Sequence, residues 1–449
     1  MRETPLVIDT IFPGSLHMSD SIFAANHTPD MGVAYLQICQ VHAARRAYRI
    51  GSRYLTWAES RIRVQRLAAL TLASLGDMPP NAQRPVVALL LANSPLLMGF
   101  FFAAAVGRFV VLPINYRLAQ NEIVDILQAS GARVLVTSAE HAVKLDAFDW
   151  GSLAVEHVFW ADDAQHPLRC PTSKLIDALE RDGPAFVSPA LREGEVLEIF
   201  ATSGTTGRVK MVPHTHAAVL THAQATIAAL DLSSSIEECW AHIGPMFHVG
   251  DIAFVWAGLL LGARHVFVDN ALQVAGVSAL LATEDVTITK IAPSLLRILV
   301  ESQAVEGMRF PALRWILTGG AKPDPALYQL TRQVFGCDFI QGYGMTEATC
   351  HIAFKNETTE LQHLGLKVLP GLEVAVLSAN GQAVSGGEIG VRDLGHPSDG
   401  IRRTGSGRAG SGTSGIWDTH LGRIWDTHRI SGLSQFPHRV PQHNARRLP

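Results

Sequence analysis

Short β-type apolar runs alternate with helical patterns along most of this chain, and that alternation admits few folds. Val86 to Leu91, Val110 to Pro113, Arg133 to Thr137 and Val158 to Trp160 read as buried strands, with helical spacing over Asn93 to Gly107 and Glu122 to Ser130. A connection bearing proline, glycine and charge at 183–194 leads to a further strand, Val196 to Ala201. Beyond it, helices are expected over Thr215 to Ala229, Ile252 to Leu261, Val274 to Glu284, Pro293 to Gln303 and Pro325 to Val334. Between them fall strands His265 to Val268, Ile288 to Ile291 and Trp315 to Thr318. Such alternation predicts layered α/β architecture with parallel sheets, whose ligands sit beyond the strand carboxyl ends. From about Leu364, short runs such as Glu373 to Leu377 and an Asn380-Gly381 turn predict a β-rich part.

Residues 199–216, Ile-Phe-Ala-Thr-Ser-Gly-Thr-Thr-Gly-Arg-Val-Lys-Met-Val-Pro-His-Thr-His, carry the clearest chemistry. Thr202, Ser203, Thr205 and Thr206 supply hydroxyls, Gly204 and Gly207 let backbone N–H groups close on an oxyanion, and Lys210 adds a positive charge. These parts suit a nucleotide polyphosphate. The order Gly204-x-x-Gly207-x-x-Lys210 is not a Walker A loop, which needs glycine directly before the lysine and a hydroxyl residue directly after it. Composition alone reads more readily as a plain surface loop.

The exact order resembles the signature loop of the adenylate-forming (AMP-binding, acyl-activating) enzymes, nearest to acyl-CoA synthetases and aryl-CoA ligases. Gln341-Gly342-Tyr343-Gly344-Met345-Thr346-Glu347 is similar to that family's second signature, and Thr318-Gly319-Gly320-Ala321-Lys322-Pro323 to its glycine turn. Pro245-Met246-Phe247-His248-Val249-Gly250 resembles the segment lining its acyl tunnel. The resemblance implies that Thr202, Ser203, Thr205, Thr206 and Lys210 hold the β- and γ-phosphates of ATP. Thr346 would contact the α-phosphate and Glu347 would place Mg2+ as a hard oxygen ligand. Gly319, Gly320, Ala321 and Tyr343, the last within the cofactor-binding Gln341 to Thr346 segment, would wall the adenine, and His248 would border the acyl channel. Lys210, His248, Thr346 and Glu347 are thus the expected catalytic residues.

The implied fold is α/β: a large body of two α/β layers, a distorted β-barrel subdomain and an irregular tail. We expect an extension at 1–39, subdomains at 40–195 and 196–363, the β-rich part at 364–392 and the tail at 393–449. That tail has nine glycines, eight arginines, five histidines and no lysine, and its near-duplicate Ile416-Trp417-Asp418-Thr419-His420 and Ile424-Trp425-Asp426-Thr427-His428 reads as no packed unit. It has the character of a frame-shifted, read-through or mis-spliced tail. The lid domain and lysine that the family carries beyond its barrel cannot be placed here, and Arg403-Thr404-Gly405-Ser406 has serine where a ribose-binding aspartate is expected. Val209 and Met211 stand where proline and glycine are usual.

A net charge of −3 with no basic stripe excludes nucleic acid as the main partner. Leu96 to Gly107, the longest uncharged apolar stretch, is too short to span a bilayer. Five scattered cysteines without a C-x-x-C pair favour reduced thiols and a cytoplasmic location, although peroxisomal relatives are known in the family. The implied reaction activates a small-molecule carboxylic acid with ATP and Mg2+ and passes it to coenzyme A. Loss of the lid is expected to impair it. The alternatives are an inactive nucleotide- or acyl-binding remnant, a luciferase-like oxidase, or a stand-alone adenylation enzyme.

Overall fold

The computed structural model describes residues 30–76, 83–142, 144–145, 148–162, 172–175, 186–203, 209–268, 273–321, 324–356, 366–377, 388–393 and 402–403. Two large sheets dominate. The first has seven strands in the order Thr172–Leu175, His157–Trp160, Val134–Thr137, Val86–Leu90, Val110–Pro113, Val196–Ser203 and Val209–Thr215. All neighbours run parallel except the last two, which form a hairpin. The second has nine strands: Lys367–Val368, Cys350–Asn356, Asp338–Met345, Trp315–Gly319, Ile288–Lys290, Cys239–His242, Arg264–Phe267, Arg46–Ile50 and Arg53–Thr56. Its middle is parallel and both edges are antiparallel. A small antiparallel sheet follows, Leu372–Leu377, Glu388–Asp393 and Arg402–Arg403.

Continuous apolar strands are what a sheet covered by helices on both faces requires. Every residue of Val110–Pro113 and Val134–Thr137 is buried accordingly. Helix starts follow local chemistry. Thr56 and Glu59 form a reciprocal capping box at Trp57–Leu75, and Ser94 caps Pro95–Gly107, whose proline occupies the first turn. That second helix is apolar all round because it lies inside the protein, and it ends at Arg108 in the left-handed region (φ 59°). The Arg108 guanidinium is buried and spans both carboxylate oxygens of Asp30, at 2.7 and 2.5 Å.

The sheets do not follow the linear division at residue 195. Arg46–Ile50 joins the second sheet through Tyr48 and His265, whereas the hairpin beginning at Val196 closes the first through Val111 and Glu198. Strand pairing is decided by register and buried faces, not by chain order. The two layers share one core: Phe102 lies 5.5 Å from Trp256 and 5.0 Å from Tyr35 between ring centroids. Packed aromatics therefore join the two layers.

Several core histidines are neutral. Burial holds His216 and His242 down to about 3 and His222 to about 4. A depressed folded value contributes stability that is complete above pH ~6.5 and is lost as pH falls through the folded value. Thermal unfolding should therefore be nearly flat above pH 7 and drop steeply at pH 5, by about 2 kcal/mol for each such histidine. Melting curves at pH 7.5 and 5 check this, and equal stability at both would refute it.

Candidate active site

Of the 199–216 stretch, the described residues run along the paired strands Val196–Ser203 and Val209–Thr215 and into the helix that follows. Thr202 pairs with Lys210, Phe200 with Val212 and Glu198 with His214, so these six side chains share one face. The alternate residues Ile199, Ala201, Val209 and Met211 pack on the apolar cluster of the first sheet. Val209 and Met211 thus fill a core face, which accounts for apolar side chains where proline and glycine were the family expectation. Gly204, Thr205, Thr206 and Gly207 lie outside the described residues, as does the side chain of Ser203. Thr202 and Lys210 are half-buried on the strands that flank them.

The shared face carries a buried relay that the sequence did not announce. Glu198 and His214 are each 1% exposed. The Trp256 indole N–H donates to Glu198 Oε2 at 2.9 Å, and Glu198 Oε1 lies 3.1 Å from His214 Nδ1. His214 Nε2 reaches the Thr346 carbonyl at 2.7 Å. That carbonyl only accepts, so Nε2 carries a proton, and Nδ1 then faces a carboxylate. The relay fastens the Val196–Ser203/Val209–Thr215 hairpin of the first sheet to the Thr346–Ala348 turn of the second.

That turn follows Asp338–Met345 directly. Thr346 and Glu347 occupy a single helical turn, Thr346–Ala348, and Thr349 and Cys350 leave it with positive φ. Gly319, last residue of its strand, pairs with Gly342, and a Cβ on Gly319 would stand 3.1 Å from the Gly342 carbonyl. The two glycine segments thus lie side by side in the sheet, with His351 and Phe354 packed over Gly342. Gly320 turns away at φ +81°, where only glycine is unstrained, and leads to the exposed Ala321. Gln341 is buried and its Oε1 accepts from the Tyr328 hydroxyl at 3.3 Å. Burial pushes the Tyr343 hydroxyl up to about 12. Gly344 meets Cys350 so closely that a side chain there would overlap its carbonyl, and Met345 pairs with Cys350.

The 245–250 segment is pinned from the first sheet. Asn93 Nδ2 donates to the carbonyls of His242 (3.2 Å) and Gly244 (2.6 Å), and its Oδ1 accepts from Met246 N–H at 2.8 Å. His248 sits exposed at the start of helix Val249–Leu260, its ring 4.8 Å from that of Phe247. Desolvation by its packed neighbours, with the positive charges of Lys290 and Arg117, holds His248 below its usual value. Asp251 is 3% exposed, and burial raises its carboxyl to about 6 against the opposing pull of Lys290. A raised carboxyl favours the folded state below its unfolded value and loses that contribution as pH rises through about 6. Asp251→Asn should consequently melt higher than the parent at pH 8, by up to about 3 kcal/mol, with the advantage shrinking toward pH 4. A pH-independent difference would refute this.

The family model described as AMP-binding enzyme matches residues 37–394. This chain belongs to the AMP-binding enzyme family. Among curated AMP-binding relatives, a feruloyl-CoA synthase of Amycolatopsis sp is 30% identical over 346 residues, covering 77% of this chain and 65% of that protein. A medium-chain-fatty-acid–CoA ligase of Ectopseudomonas oleovorans is 24% identical over 357 residues, 79% of this chain and 63% of that one. The chain therefore spans about two thirds of the length of these curated relatives. The inhibitor-bound N-terminal domain of FACL13 from Mycobacterium tuberculosis superposes with TM-score 0.70 at 25% identity, covering 82% of this chain and 89% of that domain.

In this AMP-binding chain the described parts of the motifs adjoin: the strand Val209–Thr215 meets Thr346 through His214, Gly319 pairs with Gly342, and the 245–250 segment follows Cys239–His242 of the same sheet. Among the described residues no group of three or more histidines, cysteines, aspartates or glutamates gathers around a metal position. A magnesium ion carried by a nucleotide needs only one or two protein carboxylates, and Glu347 on its turn fits that demand. No described helix is long and apolar enough to cross a membrane. Cys39, Cys239, Cys337 and Cys350 are free and buried, while Cys170 lies outside the described residues, with the tail from 404 onward. Sequence reasoning missed Asn93, Glu198, His214, Asp251, Trp256 and Lys290. Only Glu198 carried a signal, a charge inside an otherwise apolar strand.

Proposed function

We propose that this chain carries the acid-activating body of an acyl- or aryl-CoA synthetase, an AMP-forming acid–thiol ligase. In the first step a carboxylate oxygen attacks the α-phosphorus of ATP; a new O–P bond forms, the bond to the β-phosphate breaks, and pyrophosphate leaves with an acyl-adenylate left behind. In the second the sulfur of coenzyme A attacks the acyl carbon, forming a thioester and expelling AMP.

The observation that supports this reading is convergence. The His214–Thr346 hydrogen bond joins the Val209–Thr215 strand to the Thr346–Ala348 turn, and the Gly319–Gly342 pairing sets the two glycine segments side by side. Catalysis of the first step is positioning plus neutralisation of charge. We assign Thr202, Ser203, Gly204, Thr205, Thr206, Gly207 and Lys210 to the β- and γ-phosphates and Thr346 to the α-phosphate. Gly319, Gly320, Ala321 and Tyr343 take the adenine, with Gln341, Gly342, Gly344 and Met345 shaping that wall. Magnesium, when bound, would neutralise phosphate charge, and Glu347 would hold it. His248 would border the acid. The curated relatives are named for feruloyl and fatty acyl thioesters, so the resemblance leaves the acid open.

The proposal concerns this chain as it stands, whose assigned groups all lie between Thr202 and Glu347. Pyrophosphate release with ATP, Mg2+ and a panel of fatty and aromatic acids tests it. Release that requires an acid is expected, and release of AMP should follow on adding coenzyme A. Absence of acid-dependent release at any enzyme concentration would refute the activating role and favour a nucleotide-binding remnant.

A further inference from the structure

Lys290 ends the strand Ile288–Lys290, which lies between Cys239–His242 and Trp315–Gly319 in the second sheet. Its register partner is Leu317, one residue before the Thr318-Gly319 turn. It therefore opens onto the same carboxyl-end crevice as the adenine wall and the 245–250 segment. Its ammonium packs against Gly250, where an added Cβ would overlap Nζ, with Cys350 Sγ 4.0 Å from the same point. The Asp251 carboxylate packs in the same way on Gly244, where a Cβ would overlap Oδ2. Two glycines of one loop thus leave room for one cationic and one anionic head.

The heads are near enough for Lys290 to act on Asp251, and both act on Cys350, yet among the described residues neither has a hydrogen-bond or ion-pair partner. Asp251 is 3% exposed. An unpaired charge of that burial is unfavourable unless something completes it. A hydrocarbon chain filling this space would strip water from both heads and return no hydrogen bond. A second carboxylate would satisfy Lys290 and leave Asp251 facing a like charge. A hydroxyl suits both, because its oxygen accepts from an ammonium while its hydrogen is donated to a carboxylate.

Resting on the acid-activating function proposed above, we infer that Lys290 and Asp251 form a specificity subsite for a hydroxyl group carried by the acid substrate away from the carboxylate that is activated. The substrate class is a hydroxy-substituted carboxylic acid, and Lys290 donates to the hydroxyl that Asp251 accepts from. A subsite built to hydrogen-bond a hydroxyl rejects the analogue lacking it far more strongly than an apolar pocket rejects a missing methylene.

The test compares matched acids, para-hydroxycinnamate with cinnamate and omega-hydroxyhexanoate with hexanoate, on the parent chain, Lys290→Met and Asp251→Asn. In the parent, kcat/KM for pyrophosphate release should favour a hydroxylated member roughly a hundredfold or more. Lys290→Met should bring that ratio to about one or invert it, with KM for ATP unchanged, a split that general loss of structure does not produce. A parent ratio near one for both pairs, or a ratio unmoved in both variants, overturns the subsite. Calorimetric binding of the same acids decides it independently of turnover. Tighter binding of a hydroxylated member that is lost in Lys290→Met supports the subsite even if pyrophosphate release is absent. Equal binding of both members, or no binding of any acid, overturns it. Should Lys290→Met fail to fold by circular dichroism, the parent ratio and Asp251→Asn carry the decision.

Discussion

Glu347→Gln and Lys210→Ala are each expected to lower acid-dependent pyrophosphate release by about a hundredfold or more. The physical reason is that both groups would act on charge rather than on shape. Glu347 sits on the turn Thr346–Ala348, tied to the phosphate hairpin through Thr346, and Lys210 stands across from Thr202 at the mouth of the loop. A positioned electrostatic partner in a water-poor site contributes about 3 to 4 kcal/mol to the transition state. The two losses should differ in kind. On the proposed assignment Lys210→Ala would remove a phosphate contact made before and during reaction, so KM for ATP should rise with the fall in kcat. Glu347→Gln keeps size and hydrogen bonding but removes the anionic charge a metal ligand needs, so raising Mg2+ should recover part of the rate. Steady-state kinetics across a magnesium series separates the cases, and less than threefold change in both variants would sink the assignment of these residues.

The second large effect concerns the relay under the hairpin. His214→Ala leaves Glu198 in the interior with only the Trp256 N–H, and breaking a buried pair by deleting one partner costs about 3 to 5 kcal/mol. Denaturant unfolding should show that loss. Replacing both partners together, Glu198→Leu with His214→Leu, should restore most of the stability because apolar side chains of similar volume remove the need for pairing. It should not restore nucleotide binding, since the Thr346 carbonyl has lost its tether and the phosphate hairpin and nucleotide turn are no longer held in register. ATP affinity by calorimetry is expected to stay at least about tenfold weaker in the stable double variant. Full recovery of affinity would reduce the relay to an element of the core.

Much of the fold could be read before any coordinates. Val110–Pro113 matched its expected bounds, and most other strands and helices between Val86 and Phe335 lay within one to three residues of the reading, because apolar runs flanked by glycine, proline and capping residues punctuate parallel α/β chains strongly. The signature loop was harder to read. Hydroxyl- and glycine-rich composition marks a loop, but strand pairing continues to Ser203 and resumes at Val209, so that Thr202 and Lys210 stand on paired strands. The helices Met31–Val41 and Trp57–Leu75 and the hairpin between them lay outside the sequence reading, although Arg46–Ile50 is an integral strand of the larger sheet.

The sequence by itself determined the α/β class, the order of the four motifs and the residue types able to grip a polyphosphate, since each rests on local periodicity or on contiguous chemistry. Only the tertiary structure decided that Glu198 meets His214 and Trp256, that Asn93 pins the 245–250 segment, and that Lys290 and Asp251 face the same loop. These partners come from elements up to 153 residues apart, and nothing in their local spacing encodes the meeting. Burial is what gives them meaning. A charge on a strand is unremarkable in water, and it becomes a tether or a recognition group only when packing around it removes the solvent and leaves a specific partner to be found.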